Sequence, residues 1–154
     1  MDKVYLAADF GGSSGRIIAG WLEDGKIVIE EIHRFGNHPV RLGDTLYWDF
    51  LALFDQMITG LKKAAAKGYP VVSLGIDTWG VDFGLIDRNG KLLGNPVCYR
   101  DERTVGIPEK VSKILNPESH YATTGIQPLE INTLAQLFSI KGSAQLEATE
   151  HLLF

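Results

Sequence analysis

Residues 4–36, VYLAADFGGSSGRIIAGWLEDGKIVIEEIHRFG, decide the fold class. Three runs rich in apolar and β-branched residues are separated only by a turn of small residues and by an Asp-Gly pair, a dipeptide typical of tight β-hairpins. The runs are 4–8, 16–22 and 27–35. Neither gap is long enough for a helix, so the stretch predicts three strands in an antiparallel meander.

The following residues predict an α/β arrangement. Asp49 can cap a helix whose apolar positions recur every three or four residues until Gly68 ends it. Residues 36–47 predict a loop before that helix. A buried strand is expected after it, over residues 71–76, and ends like the first strand on an aspartate, Asp77. The sequence therefore predicts a mixed sheet with an antiparallel edge and flanking helices.

The last part of the chain predicts two more strands and then mainly helices. The strands are expected over residues 81–86 and 92–99, and the helices from Thr104 onward. Asn116, which precedes a proline, and Asn132 are the expected helix caps.

Composition excludes several classes of protein. The chain has 154 residues, 45% of them hydrophobic and 22% charged, which fits one compact domain. Its net charge of −4, with scattered basic residues, argues against a nucleic-acid partner. The single cysteine and the absence of a long apolar run favour a cytoplasmic protein without membrane contact. The apolar end, residues 151–154, suggests a chain cut from a larger protein.

The first candidate site is the run DFGGSSGR, residues 9–16. Its glycines allow positive φ and close approach of a phosphate to backbone N–H groups, while serine hydroxyls and Arg16 can donate to phosphate oxygens. Asp9, at a strand end, can hold Mg²⁺ directly or through water. The run is neither a Walker loop nor a dinucleotide fingerprint, because a strand follows where those motifs need a helix. An ordinary hairpin turn with a surface aspartate would show the same pattern.

Two further polar segments follow predicted strands. In residues 75–82, GIDTWGVD, two aspartates flank a tryptophan and a glycine. A tryptophan can serve as a platform for a sugar ring, and aspartates accept from sugar hydroxyls; a core tryptophan and a capping aspartate would fit equally. Residues 99–104, YRDERT, could line a polar pocket or form a salt-bridged helix start.

Taken together, these segments resemble the FGGY family of carbohydrate kinases, and within it the members that phosphorylate L-rhamnulose. The resemblance runs from about residue 4 to the last residue, and residues 77–83, DTWGVDF, are its most specific part. The segments that carry it are 9–16 (DFGGSSGR), 31–35 (EIHRF), 48–49 (WD), 75–83 (GIDTWGVDF), 99–104 (YRDERT), 125–127 (GIQ) and 132–134 (NTL).

The resemblance implies the ribonuclease-H-like fold of actin-like ATPases, in which two lobes close on ATP and a sugar. Residues 1–154 would form the N-terminal lobe, and the C-terminal lobe would be its missing partner. The implied reaction transfers the γ-phosphoryl group of ATP to the 1-hydroxyl of L-rhamnulose with Mg²⁺. The family's general base lies in a later segment, beyond Phe154, so no catalytic residue is expected in this chain and the chain alone is expected to be inactive.

The resemblance also implies roles for individual residues. Asp9 would organise Mg²⁺, directly or through water. Gly80 would contact the sugar, with Trp79, Asp82 and Asp101 as further candidates. The residues that would hold the ATP phosphates are Gly12, Ser13, Ser14, Gly15 and Arg16.

Two alternatives from other classes remain open at this point. A ribonuclease-H-like, metal-dependent nuclease could use Asp9, Asp77 and Asp82 as metal ligands. The net charge of −4 and the lack of a basic face argue against it. A non-catalytic fragment that binds nucleotide or sugar is the second alternative.

Overall fold

The computed structural model describes residues 3–154, which form two compact units. The first unit comprises the described part of Met1–His38 together with Asp49–Trp79, and the second comprises Pro39–Trp48 together with Gly80–Phe154. In chain order the elements are β1 (Val4–Phe10), β2 (Ser14–Glu23), β3 (Lys26–Gly36), β4 (Val40–Leu42), β5 (Thr45–Tyr47), α1 (Phe50–Ala66), β6 (Val71–Asp77), β7 (Gly84–Ile86), α2 (Ile107–Ser112), α3 (Pro117–Thr124), α4 (Thr133–Ser139), α5 (Ala144–Glu147) and β8 (His151–Leu153).

The first unit is built on a four-stranded sheet in the order β3-β2-β1-β6. Strands β1, β2 and β3 are antiparallel neighbours, which confirms the predicted meander, and β6 pairs parallel to β1, which makes the sheet mixed. The β2–β3 turn falls at Asp24 and Gly25, whose φ values of 49° and 74° are those of the tight hairpin expected from this dipeptide.

Helix α1 lies very close to the sheet of the first unit. Its Ala64 joins Val4, Leu6 and Ala19 in the buried core. A Cβ added at Gly60 would stand 2.2 Å from Cγ1 of the fully buried Ile17, so only a glycine permits this approach. The helix begins and ends as predicted: the Asp49 side chain accepts from the Ala52 amide, and Gly68, with a φ of 71°, follows the last turn.

The prediction that residues 71–76 form a buried strand is half wrong. The strand exists, as β6, but it is the edge strand of the sheet and all seven of its residues are exposed. An apolar run of this length has the same appearance in a central and in an edge strand, because burial depends on neighbours that the run itself does not encode.

Two predictions fail in the second unit. Residues 36–47 are not a simple loop, because β4 and β5 pair as a hairpin whose turn has Gly43 at a φ of 60°. Residues 92–99 form no regular strand and make only isolated bridges to Ile86 and Tyr47. Pro96, which has no N–H to donate, explains why a ladder does not extend through this apolar segment.

Other expectations for the second unit are met. The strand expected over 81–86 is confirmed in a shorter form as β7, which pairs with β8, and the helical end is confirmed as α2 to α5. Asn116 caps α3 through its side chain; Asn132 precedes α4 but donates to the Gln127 carbonyl instead. Within residues 3–154, no helix has the length and apolar character needed to cross a membrane.

Candidate functional site

The run of residues 9–16 lies where β1 turns into β2. Asp9 and Arg16 are cross-strand partners, and Nε and Nη2 of Arg16 contact Oδ2 of Asp9 at 2.8 and 2.7 Å. The arginine side chain is 43% exposed and the aspartate side chain 32%. Because both side chains remain accessible to solvent, their ion pair contributes little free energy. Arg16 can therefore exchange its carboxylate partner for another anion, such as a phosphate.

Three carbonyl oxygens of this turn, those of Gly11, Ser13 and Ser14, accept from protein donors. The Gly11 amide donates to the Ser14 carbonyl at 2.9 Å. Asn37 donates twice, from its backbone N–H to the Ser13 carbonyl at 3.0 Å and from its side-chain Nδ2 to the Gly11 carbonyl at 2.8 Å. Within residues 3–154, no protein acceptor contacts the N–H groups of Gly12 and Ser13. Protein donors therefore engage three carbonyl oxygens of the turn, while the N–H groups of Gly12 and Ser13 are left for an anion.

The glycines of the turn serve packing rather than unusual backbone angles. None of Gly11, Gly12 and Gly15 has a positive φ, so the conformational reason anticipated from the sequence does not apply. Instead, a Cβ at Gly15 would lie 2.3 Å from Cζ of Phe35, whose ring meets that of Phe10 edge to face at 5.7 Å. Gly15 thus allows an aromatic pair to close over the start of β2.

Asp9 and Asp77 occupy paired positions at the ends of the parallel strands β1 and β6. The two aspartates that end these strands, as the sequence predicted, therefore lie at neighbouring strand ends. Within residues 3–154, no group of three or more His, Cys, Asp or Glu side chains could form a metal cage. One or two carboxylates fit Mg²⁺ whose remaining ligands are water and phosphate oxygens, which is its usual coordination in kinases.

A second arginine lies beside the first. Arg34 is the cross-strand neighbour of Arg16 on β3, and its Nη2 contacts Oε2 of Glu31 at 2.5 Å. The hydrogen bonds from Arg34 lower the pKa of the Glu31 carboxyl, and the positive charge of Arg16 acts in the same direction. The carboxylates of Asp9 and Glu31 thus offset the positive charges of the two arginines, which can therefore lie side by side on one face of the sheet.

In the second unit, Asp82 is the centre of a buried hydrogen-bond network. Its Oδ2 accepts from Nε1 of Trp48 at 2.5 Å and from the Tyr99 amide at 3.2 Å. Its Oδ1 accepts from Nε2 of Gln136 at 2.9 Å. The Gln136 side chain is fully buried, and its Oε1 accepts from Arg103 at 2.7 Å. Asp82 therefore joins three separate segments of this unit.

Asp101 is a second buried carboxylate in the same unit. It accepts from the Leu46 amide at 2.7 Å and from the Arg103 amide at 3.0 Å, and so ties β5 to the turn of 3-10 helix at Glu102–Thr104. Burial lowers the pKa of the Arg103 guanidinium, whereas the charges of Asp101 and Asp82 oppose this shift and keep the group ionised. The negative charges of Asp82 and Asp101 and the positive charge of Arg103 thus offset one another within the network.

Gly80 differs from the other sugar candidates in how open its surroundings are. A Cβ added there would meet no atom within 4 Å, so its surroundings are open. Trp79 is partly buried in the first unit, and Asp82 and Asp101 are buried among protein donors. Sugar contact by Trp79, Asp82 and Asp101 stays a prediction, and Gly80 is the candidate that a ligand can approach most directly.

Sequence comparison identifies the family. The N-terminal domain of the FGGY family of carbohydrate kinases matches residues 4–146. The chain belongs to the FGGY family. Among curated relatives, the rhamnulokinase of Oceanobacillus iheyensis is 45% identical over 143 residues, which are 93% of this chain and 30% of that protein. The rhamnulokinase of Bacteroides thetaiotaomicron is 42% identical over 156 residues, which are 100% of this chain and 32% of that protein. The chain spans about a third of the length of these FGGY relatives.

Solved FGGY kinase structures confirm the actin-like fold class expected from the resemblance. A gluconate kinase from Lactobacillus acidophilus superimposes with a TM-score of 0.82 at 14% identity, over 98% of this chain and 31% of that chain. A xylulose kinase from Rhodospirillum rubrum gives a TM-score of 0.80 at 16% identity, over 97% of this chain and 32% of that chain. Membership of the FGGY family also leaves the nuclease alternative without support.

Asn37 is the residue of the phosphate turn that sequence reasoning missed. It lies in a segment predicted as a loop, and 21 positions separate it from Arg16, the nearest predicted residue of the turn. An asparagine directly after a strand is a weak signal, because most such residues serve the local turn. Only the pairing of β2 with β3 shows that this asparagine reaches the first turn.

Proposed function

We propose that this chain is the N-terminal lobe of an ATP-dependent kinase that phosphorylates the 1-hydroxyl of L-rhamnulose. The observation that supports this most is the 45% identity to a rhamnulokinase across 93% of the chain, together with the free N–H groups in the turn before Arg16. The C-terminal lobe, which would provide the general base, is its proposed partner.

In this proposal the turn binds the ATP phosphates. The N–H groups of Gly12 and Ser13 donate to phosphate oxygens, the hydroxyls of Ser13 and Ser14 add further donors, and Arg16 supplies a positive charge. Gly15 contributes by letting the turn close against Phe35. Phosphoryl transfer depends mainly on such positioning and on charge neutralisation.

Asp9 is the proposed metal-organising residue. Its carboxylate has one oxygen engaged by Arg16, and the charge on the other is available to Mg²⁺ or to water bound to it. Bound Mg²⁺ supplies neutralisation of the charge on the phosphates. Asp9 would hold the metal at the end of β1, and Arg16 would contact a phosphate oxygen.

The phosphate turn is tested by Arg16→Ala. We expect the dissociation constant of Mg·ADP to rise about tenfold, because a charge-assisted hydrogen bond contributes more than a neutral one. The measurement is isothermal titration calorimetry of the 154-residue chain with Mg·ADP. Arg88→Ala removes an exposed arginine from a surface turn and should leave the affinity unchanged. An unchanged or tighter Mg·ADP affinity for Arg16→Ala would contradict the proposed role.

The sugar contact is tested by Gly80→Val in a hybrid enzyme, in which this chain replaces the matching N-terminal segment of the Oceanobacillus iheyensis rhamnulokinase. We expect the KM for L-rhamnulose to rise on the order of tenfold or more, with little change for ATP, because the new side chain occupies space meant for the sugar. Gly75→Val is the matched control, since a Cβ there also meets nothing within 4 Å. If the KM for ATP rises instead, Gly80 does not contact the sugar.

A further inference from the structure

The orientation of the phosphate turn depends on a residue from outside it. Asn37 follows β3, is 2% exposed, and donates to two carbonyl groups of the turn. A buried side-chain amide with a 2.8 Å hydrogen bond to a main-chain oxygen is a strong local constraint, because breaking that bond leaves buried polar groups unpaired.

Because the peptide bond is planar, a hydrogen bond that fixes a carbonyl group also fixes the direction of the N–H group in the same peptide. The carbonyl of Gly11 and the amide of Gly12 belong to the same planar trans peptide, so they point in opposite directions. The Asn37 side chain holds the Gly11 carbonyl and thereby turns the Gly12 N–H away from the protein. The Asn37 backbone N–H fixes the Ser13 carbonyl, and with it the Ser14 N–H, in the same way.

We infer that Asn37 is a positioning residue that presets the phosphate-binding turn for a nucleotide, an inference that rests on the proposed function. Without the Asn37 donor, the Gly11–Gly12 peptide can rotate and present its carbonyl oxygen to the phosphate instead. Glycine on both sides of that peptide offers little steric resistance to such a rotation. Asn37 holds the peptide in the anion-binding orientation before the nucleotide arrives, and this reduces the entropy lost on binding.

Asn37→Asp gives the sharpest test, because it preserves size and replaces the donating amide with a group that only accepts when ionised. We expect Mg·ADP to bind about tenfold more weakly to the 154-residue chain, in line with a misdirected hydrogen bond to a charged group. Hydrogen exchange at the Gly11 amide, which donates to the Ser14 carbonyl at 2.9 Å, should accelerate relative to the amides of β1 when followed by NMR. Affinity for L-rhamnulose should not change.

Gln56→Ala is the matched control for a general loss of stability. It removes another part-buried side-chain hydrogen bond of the first unit, the 2.8 Å contact with His33, without touching the turn. It should lower the melting temperature but leave Mg·ADP affinity and Gly11 exchange unchanged. If Asn37→Asp does not fold, Asn37→Ser keeps a shorter donor in the same place and should weaken Mg·ADP binding to a smaller extent.

The outcomes separate this inference from the proposed function. If the unchanged chain binds Mg·ADP and the Asn37 variants bind it equally well, the positioning role is wrong while the proposed function stands. The same conclusion follows if Gln56→Ala weakens binding as much as Asn37→Asp. Failure of the unchanged chain to bind Mg·ADP would overturn the phosphate site and this inference with it. Selective weakening by the Asn37 variants, with faster Gly11 exchange, supports both.

Discussion

Asp82→Ala should lower the free energy of unfolding by about 3–5 kcal/mol, the largest stability effect that we expect in this chain. The substitution removes the acceptor shared by the Trp48 indole and the Tyr99 amide, and it breaks the contact with the buried Gln136. It also leaves the partly buried Arg103 with less compensating negative charge. Urea unfolding followed by circular dichroism measures the change.

The control for Asp82 is Glu109→Ala. Glu109 is an exposed acid on α2, and its removal should change the free energy of unfolding by less than about 0.5 kcal/mol. A loss of less than about 1 kcal/mol for Asp82→Ala would show that the network is not structural. A stable Asp82→Ala protein that lost only sugar affinity would instead assign the carboxylate to the ligand.

The second large effect concerns turnover. The 154-residue chain alone should show no sugar-dependent release of ADP, because by resemblance the general base lies in a later segment of the family. Loss of a positioned base reduces rates by about 10² to 10⁴. A missing second lobe removes water exclusion and alignment of the γ-phosphoryl group as well. A coupled ADP-release assay with saturating ATP, Mg²⁺ and L-rhamnulose measures this.

The same chain should still bind Mg·ADP weakly. The turn is held by its own hydrogen bonds and by Asn37, all within the first unit, so its N–H groups do not need a second lobe for their orientation. Sugar-dependent turnover by the chain alone, at a rate close to that of intact sugar kinases, would contradict the placement of the general base outside it.

Local patterns were sufficient to predict much of the first unit. The Asp24-Gly25 hairpin, the Asp49 cap and the two aspartates at strand ends follow from turn chemistry and strand alternation, and all are confirmed. The burial of β6 was wrong, because the position of a strand in a sheet depends on which segments become its neighbours. Sequence periodicity contains no information about those neighbours.

The candidate site was only partly predictable for the same reason. Asp9 and Arg16 could be linked from sequence, since a short hairpin makes them cross-strand partners. The role of Asn37 could not, because it depends on contacts with residues 24 and 26 positions away in the chain. The structural role of Asp82 was not predictable either. Its carboxylate accepts hydrogen bonds from Trp48 and Gln136, which lie 34 and 54 positions away in the chain.

The most direct test of the central claim is turnover of the hybrid enzyme built from this chain and the C-terminal part of the Oceanobacillus iheyensis rhamnulokinase. The chain is 45% identical to the segment that it replaces, so the core and the contacts with the second lobe should be largely preserved. We expect ADP release with L-rhamnulose within about tenfold of the parent rate, a factor equivalent to about 1.4 kcal/mol in the barrier. A folded hybrid that binds Mg·ADP but does not phosphorylate L-rhamnulose, or that prefers D-xylulose, would contradict the proposed function.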